Sequence, residues 1–89
     1  TLGKNGAILI GSGIRLRGYT PEITVKNNVG SGDAFLAGLA AGVSKNLSVK
    51  ETLRTAMVAS TAAAMCFEIG SFEQRDYIYA MENVKVLEL

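Results

Sequence analysis

The chain has 89 residues, 48% of them apolar, and a formal net charge of +1, which suits one globular domain with a modest core and excludes an intrinsically disordered chain. The near-zero charge gives no electrostatic basis for binding nucleic acid or an anionic membrane surface. No apolar run is as long as a membrane-spanning helix, so we expect a soluble, cytoplasmic protein with no nucleic-acid or membrane partner.

A turn and two strands are predicted at the start of the chain. Gly3-Lys4-Asn5-Gly6 has the composition of a turn, in which Lys4 is either solvated or a ligand. Residues 7–10 are a short apolar run, which predicts a strand buried on both faces. After a Gly-Ser-Gly turn, Ile14-Arg15-Leu16-Arg17 alternates apolar and basic residues, which predicts a strand with its arginines on a solvated face. The two strands are expected to form a hairpin.

One stretch combines the features of an anion-binding site. This stretch follows Ile23-Thr24-Val25, which we interpret as a strand, and contains Gly30-Ser31-Gly32-Asp33. It then enters a run rich in Ala, Leu and Phe, which predicts a helix from Ser31 to Ser44. The first N–H groups of a helix lack partners within it and carry partial positive charge, so a phosphate is favoured there. Gly30 and Gly32 lack a Cβ, so the backbone can approach a phosphate closely.

Asp33 has two interpretations. An acidic residue near a helix start is common because it interacts favourably with the helix dipole. A carboxylate beside a phosphate is repelled, however, and makes sense there if Asp33 takes a proton from a hydroxyl that attacks the phosphate. The absence of histidine from the sequence adds weight to a carboxylate base. The motif is neither a P-loop nor a dinucleotide fingerprint, because it lacks the Lys-Ser/Thr of the first and the distal acidic residue of the second.

Two helices rich in small residues are predicted after this loop. In the first, Gly38 and Gly42 each cost about 1 kcal/mol of helix propensity relative to Ala, and we expect close packing against the sheet to compensate. The second starts at a capping box formed by Ser48 and Glu51 and ends at Gly70. Residues 61–64 are small enough either to pack tightly or to let a flat ring lie against the helix. The predicted face of this helix comprises Leu53, Ala56, Met57, Ser60, Ala63 and Ala64.

A third helix and a last strand are predicted at the end of the chain. Ser71 and Gln74 form a second capping box, and residues 84–89 alternate imperfectly, as a strand would. The predicted apolar face of the third helix comprises Tyr77, Ile78 and Met81. The single cysteine, Cys66, excludes an internal disulfide, and we expect it to be a small core residue rather than a reactive thiol.

Residues 27–40 resemble the C-terminal signature of the PfkB (ribokinase-like) sugar kinases, whose core is Gly-Ala-Gly-Asp followed by a helix rich in Ala and Gly. Gly30-Ser31-Gly32-Asp33 matches that core with Ser in the Ala position, and residues 1–7 are similar to the family's Ser/Thr-Leu-Gly-x-x-Gly turn. The resemblance covers nearly the whole chain. Two positions differ: Asn27-Asn28 replaces the Asp-Thr that is frequent at the family's monovalent-cation site, and Ala63 replaces an Asn that is often near the adenine.

The resemblance implies an α/β fold in which short strands or a hairpin are followed by helices packed on the sheet. Residues 1–89 would be the C-terminal, ATP-binding segment of a ribokinase-like three-layer domain, with the sugar-binding part upstream, so the isolated segment is expected to be inactive. The glycine loop is most similar to the branches of the family that phosphorylate fructose 1-phosphate, which is the first choice of acceptor, or tagatose 6-phosphate. ATP and Mg²⁺ are implied, and the full-length protein is expected to be a homodimer.

The resemblance also implies roles for individual residues. Asp33 would be the catalytic base, and the glycine loop would be an anion hole for the transferred phosphate. The implied anion-hole and ATP-binding residues are Gly30, Ser31, Gly32, Gly3, Lys4 and Gly6. No metal ligand is assigned in this chain, because Mg²⁺ would be bridged by ATP and held by upstream residues. The alternative is a non-catalytic nucleotide-binding or scaffold module built on the same fold.

Overall fold

A computed structural model describes residues 6–11, 13–26, 30–66 and 74–89. These ranges form a three-stranded sheet and three helices, which confirms the α/β class. The strands are β1 (Ala7–Gly11), β2 (Ile14–Tyr19) and β3 (Lys85–Glu88), and the helices are α1 (Ser31–Ser44), α2 (Val49–Ala64) and α3 (Gln74–Asn83). None of the helices in the described ranges is long and apolar enough to cross a lipid bilayer.

The sheet is antiparallel with β2 in the middle, which confirms the predicted hairpin and the predicted last strand. Ala7 lies opposite Gly18, and Gly18 lies opposite Val86, so these three residues share the buried face of the sheet. The arginines of β2 point the other way, as predicted from the alternation. Arg15 is exposed, and the guanidinium of Arg17 lies 5.1 Å from the centre of the Tyr19 ring.

The second face of the sheet carries apolar side chains that no described element covers. The exposed fractions of Ile8, Ile10 and Leu87 are 44%, 72% and 51%. The prediction that residues 7–10 are buried on both faces is therefore wrong for this chain. The apolar run is nevertheless what a strand needs when helices cover both faces of its sheet.

Helix α2 is the centre of the packing, because it contacts β2, β3, α1 and α3. Its start is fixed by the predicted cap: the hydroxyl of Ser48 accepts a hydrogen bond of 3.1 Å from the N–H of Glu51. Leu53 is almost fully buried and anchors the helix on the sheet. The core cluster comprises Ala7, Leu16, Leu53, Met57, Val58, Ala62, Ala80, Val84 and Val86.

The glycines of α1 pack against α2 and not against the sheet, so that part of the sequence-based expectation is wrong. A Cβ on Gly38 would lie 2.5 Å from the Cα of Ala56, and a Cβ on Gly42 would lie 2.9 Å from the Cα of Thr52. The two helices can approach this closely only because both positions are glycine. Leu36 and Val43 of α1 point away from this contact and are 64% and 71% exposed, whereas Phe35 packs against the core.

Replacing Gly38 by Ala in the full-length protein is expected to lower the free energy of unfolding by about 1–3 kcal/mol, as overpacking typically does. The added methyl would meet the backbone of Ala56, which cannot rotate away. Gly32→Ala is the matched control, because a Cβ on Gly32 meets no atom within 4 Å and Ala gains up to about 1 kcal/mol of helix propensity. Chemical denaturation measures both variants. A Gly38→Ala protein as stable as the control would contradict this helix–helix contact.

Helix α2 ends at Ala64, six residues before the predicted end at Gly70, which lies outside the described residues. Its last turn tightens, since the N–H of Met65 is shared between the carbonyls of Thr61 and Ala62. The Ala64 carbonyl instead accepts a 2.8 Å bond from the Lys26 N–H. In a longer helix the Ala64 carbonyl would accept a hydrogen bond from the next helical turn. Here the bond from Lys26 replaces it. Cys66 follows this end as a half-buried free thiol, less enclosed than a core residue.

The buried side of α3 differs from the predicted one. Ala80 is fully buried and Tyr77 packs partly against the core, whereas Ile78 and Met81 are 45% and 41% exposed. Small Ala80 lets α3 approach α2, and Val84 continues the same stripe four residues later. The proposed cap at Ser71 lies outside the described residues.

Candidate functional site

The segment 20–26 leads to the glycine loop without forming a strand. The predicted strand over Ile23-Thr24-Val25 is therefore wrong, because the segment bonds to helices and not to a neighbouring strand. The N–H of Lys26 donates to the carbonyl of Ala64 at 2.8 Å, and the hydroxyl of Tyr79 donates to the carbonyl of Glu22 at 3.2 Å. Residues 27–29 are outside the described part of the chain, so the site begins at Gly30.

A cavity of about 550 Å³ lies between this segment, the start of α1, the inner face of α2 and the beginning of β1. Its volume is within the range of small-molecule sites, which are mainly apolar with a few placed polar groups. The lining residues are Gly6, Ala7, Thr20, Pro21, Glu22, Ile23, Val25, Ser31, Gly32, Phe35, Met57, Ser60, Thr61 and Ala64. The hydroxyls among them, on Thr20, Ser31, Ser60 and Thr61, can each donate and accept hydrogen bonds.

The start of α1 meets this cavity without a side-chain cap. Its N-cap residue is Gly30, which has no side chain, and the first intrahelical bond runs from the N–H of Ala34 to the Gly30 carbonyl at 2.9 Å. Helix α2, by contrast, is capped by Ser48. A Cβ on Gly32 would meet no heavy atom within 4 Å, so open space lies beside its backbone. An anion placed there would be attracted by the positive end of the helix dipole.

The structure brings part of the predicted site together. Gly6, Ser31 and Gly32 line one cavity, although Gly6 is 25 or more positions away along the chain. Gly30, which directly precedes Ser31 in the chain, is buried. Asp33 lies in the first turn of α1, where it is exposed and is not among the residues that line the cavity.

Of the predicted N-terminal turn, only Gly6 is described, since Gly3 and Lys4 lie outside the described residues. Gly6 has a structural reason to be glycine that is independent of any ligand. Its φ is +88°, in the left-handed region that side chains disfavour, and a Cβ there would overlap the carbonyl of Gly18. Its contribution to a ligand site would come from its backbone.

Part of the cavity wall was predicted from the sequence and part was not. Met57, Ser60 and Ala64 lie on one face of α2, as predicted, and that face lines the cavity. Phe35 was not predicted to belong to a site, although it follows Ser31 by one helical turn, a spacing that could have placed the two on a common surface. Pro21 and the rest of the segment 20–26 carry no such periodicity, because their position depends on contacts with α2 and α3.

The cavity has the features of a nucleotide site. Apolar walls, four hydroxyls and an open helix start are suited to a base and a phosphate chain. Within residues 6–11, 13–26, 30–66 and 74–89, no three His, Cys, Asp or Glu side chains come together as a metal site would require. Mg²⁺ that accompanies a nucleotide is usually held by phosphates, water and one or two carboxylates, so such a cluster is not required for it.

Residues 1–74 match the pfkB family of carbohydrate kinases. The chain is 32% identical over 73 residues to a 1-phosphofructokinase of Bacillus subtilis and 26% identical over 74 residues to a 1-phosphofructokinase of Borreliella burgdorferi. Each alignment covers 82% of this chain but only 24% of the relative. The chain thus spans about a quarter of the length of the curated relatives it matches.

Solved structures agree with this assignment. All of this chain superimposes on 28% of a candidate phosphofructokinase from Staphylococcus aureus, with a TM-score of 0.89 and 30% sequence identity. A candidate sugar kinase from Clostridium perfringens shares the fold, with a TM-score of 0.75 and 22% identity over 97% of this chain. The antiparallel hairpin, the glycine-rich start of α1 and the packed helices are therefore those of a ribokinase-like kinase segment. The chain belongs to the pfkB family of carbohydrate kinases.

Proposed function

We propose that residues 1–89 are the C-terminal, ATP-binding segment of a larger kinase that phosphorylates a sugar phosphate. Two observations support a larger protein. The relatives are about four times as long as the matched segment, and one sheet face of this chain leaves Ile8, Ile10 and Leu87 exposed. A further layer from the rest of the protein would bury these side chains. We take that protein to be a cytoplasmic homodimer.

The acceptor we propose is fructose 1-phosphate, with tagatose 6-phosphate as the second choice. Two points support this acceptor. The relatives are named 1-phosphofructokinases, and the residues of the glycine loop resemble those of the branches that use these two sugars. A hydroxyl oxygen of the sugar phosphate would form a bond to the γ-phosphorus of ATP. The bond from that phosphorus to the bridging oxygen would break, and ADP would leave.

The observation that carries the proposal is the uncapped start of α1 beside the open cavity, with a carboxylate in its first turn. The N–H groups of Gly30, Ser31 and Gly32 would stabilise the negative charge that grows on the transferred phosphoryl group. Asp33 would accept the proton of the attacking hydroxyl. Its exposed position, outside the cavity lining, suits a base that meets an acceptor arriving from the rest of the protein.

The walls of the cavity would hold the nucleoside part of ATP. Pro21 and Val25 on one side, and Met57 and Ala64 on the other, offer apolar surfaces between which a flat base can lie. Gly6 would contribute backbone from the opposite end, and Gly3 and Lys4 are proposed to continue this edge. Mg²⁺ would arrive with the ATP phosphates and be held by residues outside the described part of the chain.

A non-catalytic nucleotide-binding or scaffold module is the second candidate. The observation that favours it is the exposure of Asp33, which does not line the cavity. In such a module ATP would bind in the same cavity without phosphoryl transfer. The two functions therefore differ in turnover and not in nucleotide affinity.

An assay of the full-length protein separates these functions. We expect fructose 1-phosphate, or else tagatose 6-phosphate, to stimulate the formation of ADP, with one sugar bisphosphate formed for each ADP. Residues 1–89 alone should give no sugar-dependent ADP, because most of the rate of phosphoryl transfer comes from holding donor and acceptor in line. They should also self-associate through the exposed sheet face. Nucleotide binding by the full-length protein without turnover on either sugar would favour the scaffold module.

A further inference from the structure

The segment 20–26 is a wall between two cavities. On one side is the proposed nucleotide cavity, and on the other is a second cavity of about 500 Å³, next to α3. Glu22 and Ile23 line both. A contact on the α3 side that displaces these two residues therefore also changes the shape of the nucleotide cavity.

Two hydrogen bonds to helices hold this wall within the described part of the chain. At its end, the N–H of Lys26 is bonded to the Ala64 carbonyl, which fixes the wall to α2. In its middle, the carbonyl of Glu22 accepts a 3.2 Å hydrogen bond from the hydroxyl of Tyr79 on α3. The segment has no regular secondary structure of its own, so these contacts, and not a strand ladder, determine its position.

Tyr79 is separated from Glu22 by 57 residues, and no residue of α3 lines the nucleotide cavity. Tyr79 is 39% exposed, so its hydroxyl group does not fill space in the buried core. Its phenolic O–H is the one group of this side chain that can donate a hydrogen bond. The ring and the hydroxyl can therefore be separated by mutation.

We propose that Tyr79 is a positioning residue that holds the wall of the nucleotide cavity through the Glu22 carbonyl. The proposal rests on the proposed function of that cavity. With the bond in place, Pro21 and Ile23 are kept where they would contact the nucleotide. Without it, the wall samples other positions, and bound nucleotide must restrict it again, which weakens binding. We expect the chemistry on α1 to be unaffected, because the bond joins Tyr79 to Glu22 and includes neither Gly32 nor Asp33.

The test is Tyr79→Phe in the full-length enzyme, with steady-state kinetics and direct measurement of ATP binding. We expect the KM and the Kd for ATP to rise about two- to tenfold, the range that a neutral hydrogen bond corresponds to. The kcat and the KM for the sugar phosphate should stay unchanged, and the free energy of unfolding should fall by no more than about 0.5–1.5 kcal/mol, the contribution of one hydrogen bond. A purely structural role would instead lower stability or active fraction without this selective change in KM.

Tyr19→Phe is the matched control. Its ring is 41% exposed, similar to that of Tyr79, and it lies on β2 outside the lining of both cavities. The control should leave the KM for ATP unchanged. Equal KM values for ATP in Tyr79→Phe and the unmodified enzyme would overturn the role of Tyr79 while leaving the kinase function intact. Absence of ATP binding by the unmodified full-length protein would overturn both.

Discussion

Asp33→Asn is expected to lower the turnover of the full-length enzyme by at least about 10²-fold while ATP still binds. Asparagine keeps the size of the side chain, but its amide cannot take a proton from the attacking hydroxyl. An acidic residue in the first helical turn contributes only about 0.3–1 kcal/mol through the helix dipole. A 10²-fold loss corresponds to about 2.7 kcal/mol, so loss of the dipole interaction cannot account for it.

Glu51→Gln is the control for this experiment. Glu51 also lies in the first turn of a helix, α2, where it is exposed and lines neither cavity. It should lose a similar dipole interaction and keep normal turnover. Steady-state kinetics and ATP titration measure both variants. Turnover of Asp33→Asn within a few-fold of the unmodified enzyme would rule out a base at this position.

Gly32→Val is expected to abolish nucleotide-dependent activity while the fold is retained. A Cβ on Gly32 meets no atom within 4 Å among the described residues, so the side chain has room to begin there. The space it fills is the space we assign to a phosphate, and two extra methyl groups there would keep the phosphate from the backbone N–H groups. Gly32→Ala should give a smaller loss in the same direction.

Gly11→Val is the matched control for added bulk, because a Cβ on Gly11 also meets nothing within 4 Å and Gly11 lies outside the cavity. Circular dichroism and ATP titration accompany the activity assay. If folded Gly32→Val protein keeps its affinity for ATP and its activity, the start of α1 is not an anion hole.

Local signals allowed a good part of the fold to be predicted. Helix α1 runs from Ser31 to Ser44 as expected, because a glycine-rich start and a long run of helix-forming residues are sequence-local features. The cap at Ser48 and the hairpin of β1 and β2 were predictable for the same reason. Local signals also indicated an anion site at Gly30-Ser31-Gly32 but left two interpretations of Asp33 open, and the family resemblance favoured that of a catalytic base.

The errors lie where tertiary contacts decide the structure. Ile23-Thr24-Val25 has the composition of a strand, but its neighbours are helices. The residues on either side of it are bonded to those helices: Glu22 accepts a hydrogen bond from Tyr79, and Lys26 donates one to Ala64. No periodicity in the sequence could show that. The element that packs on Gly38 was likewise predicted wrongly. A small residue indicates that another element approaches closely, but it does not indicate whether that element is a helix or the sheet.

The central claim is that the start of α1 holds the transferred phosphate beside Asp33. A crystal structure of the full-length protein with a non-hydrolysable ATP analogue and fructose 1-phosphate tests it most directly. We expect the γ-phosphate within hydrogen-bond distance of the N–H groups at Gly30, Ser31 and Gly32, and the Asp33 carboxylate about 2.6–3.2 Å from the acceptor hydroxyl. A nucleotide bound outside this cavity, or an acceptor hydroxyl out of reach of Asp33 with the γ-phosphate in place, would contradict the account.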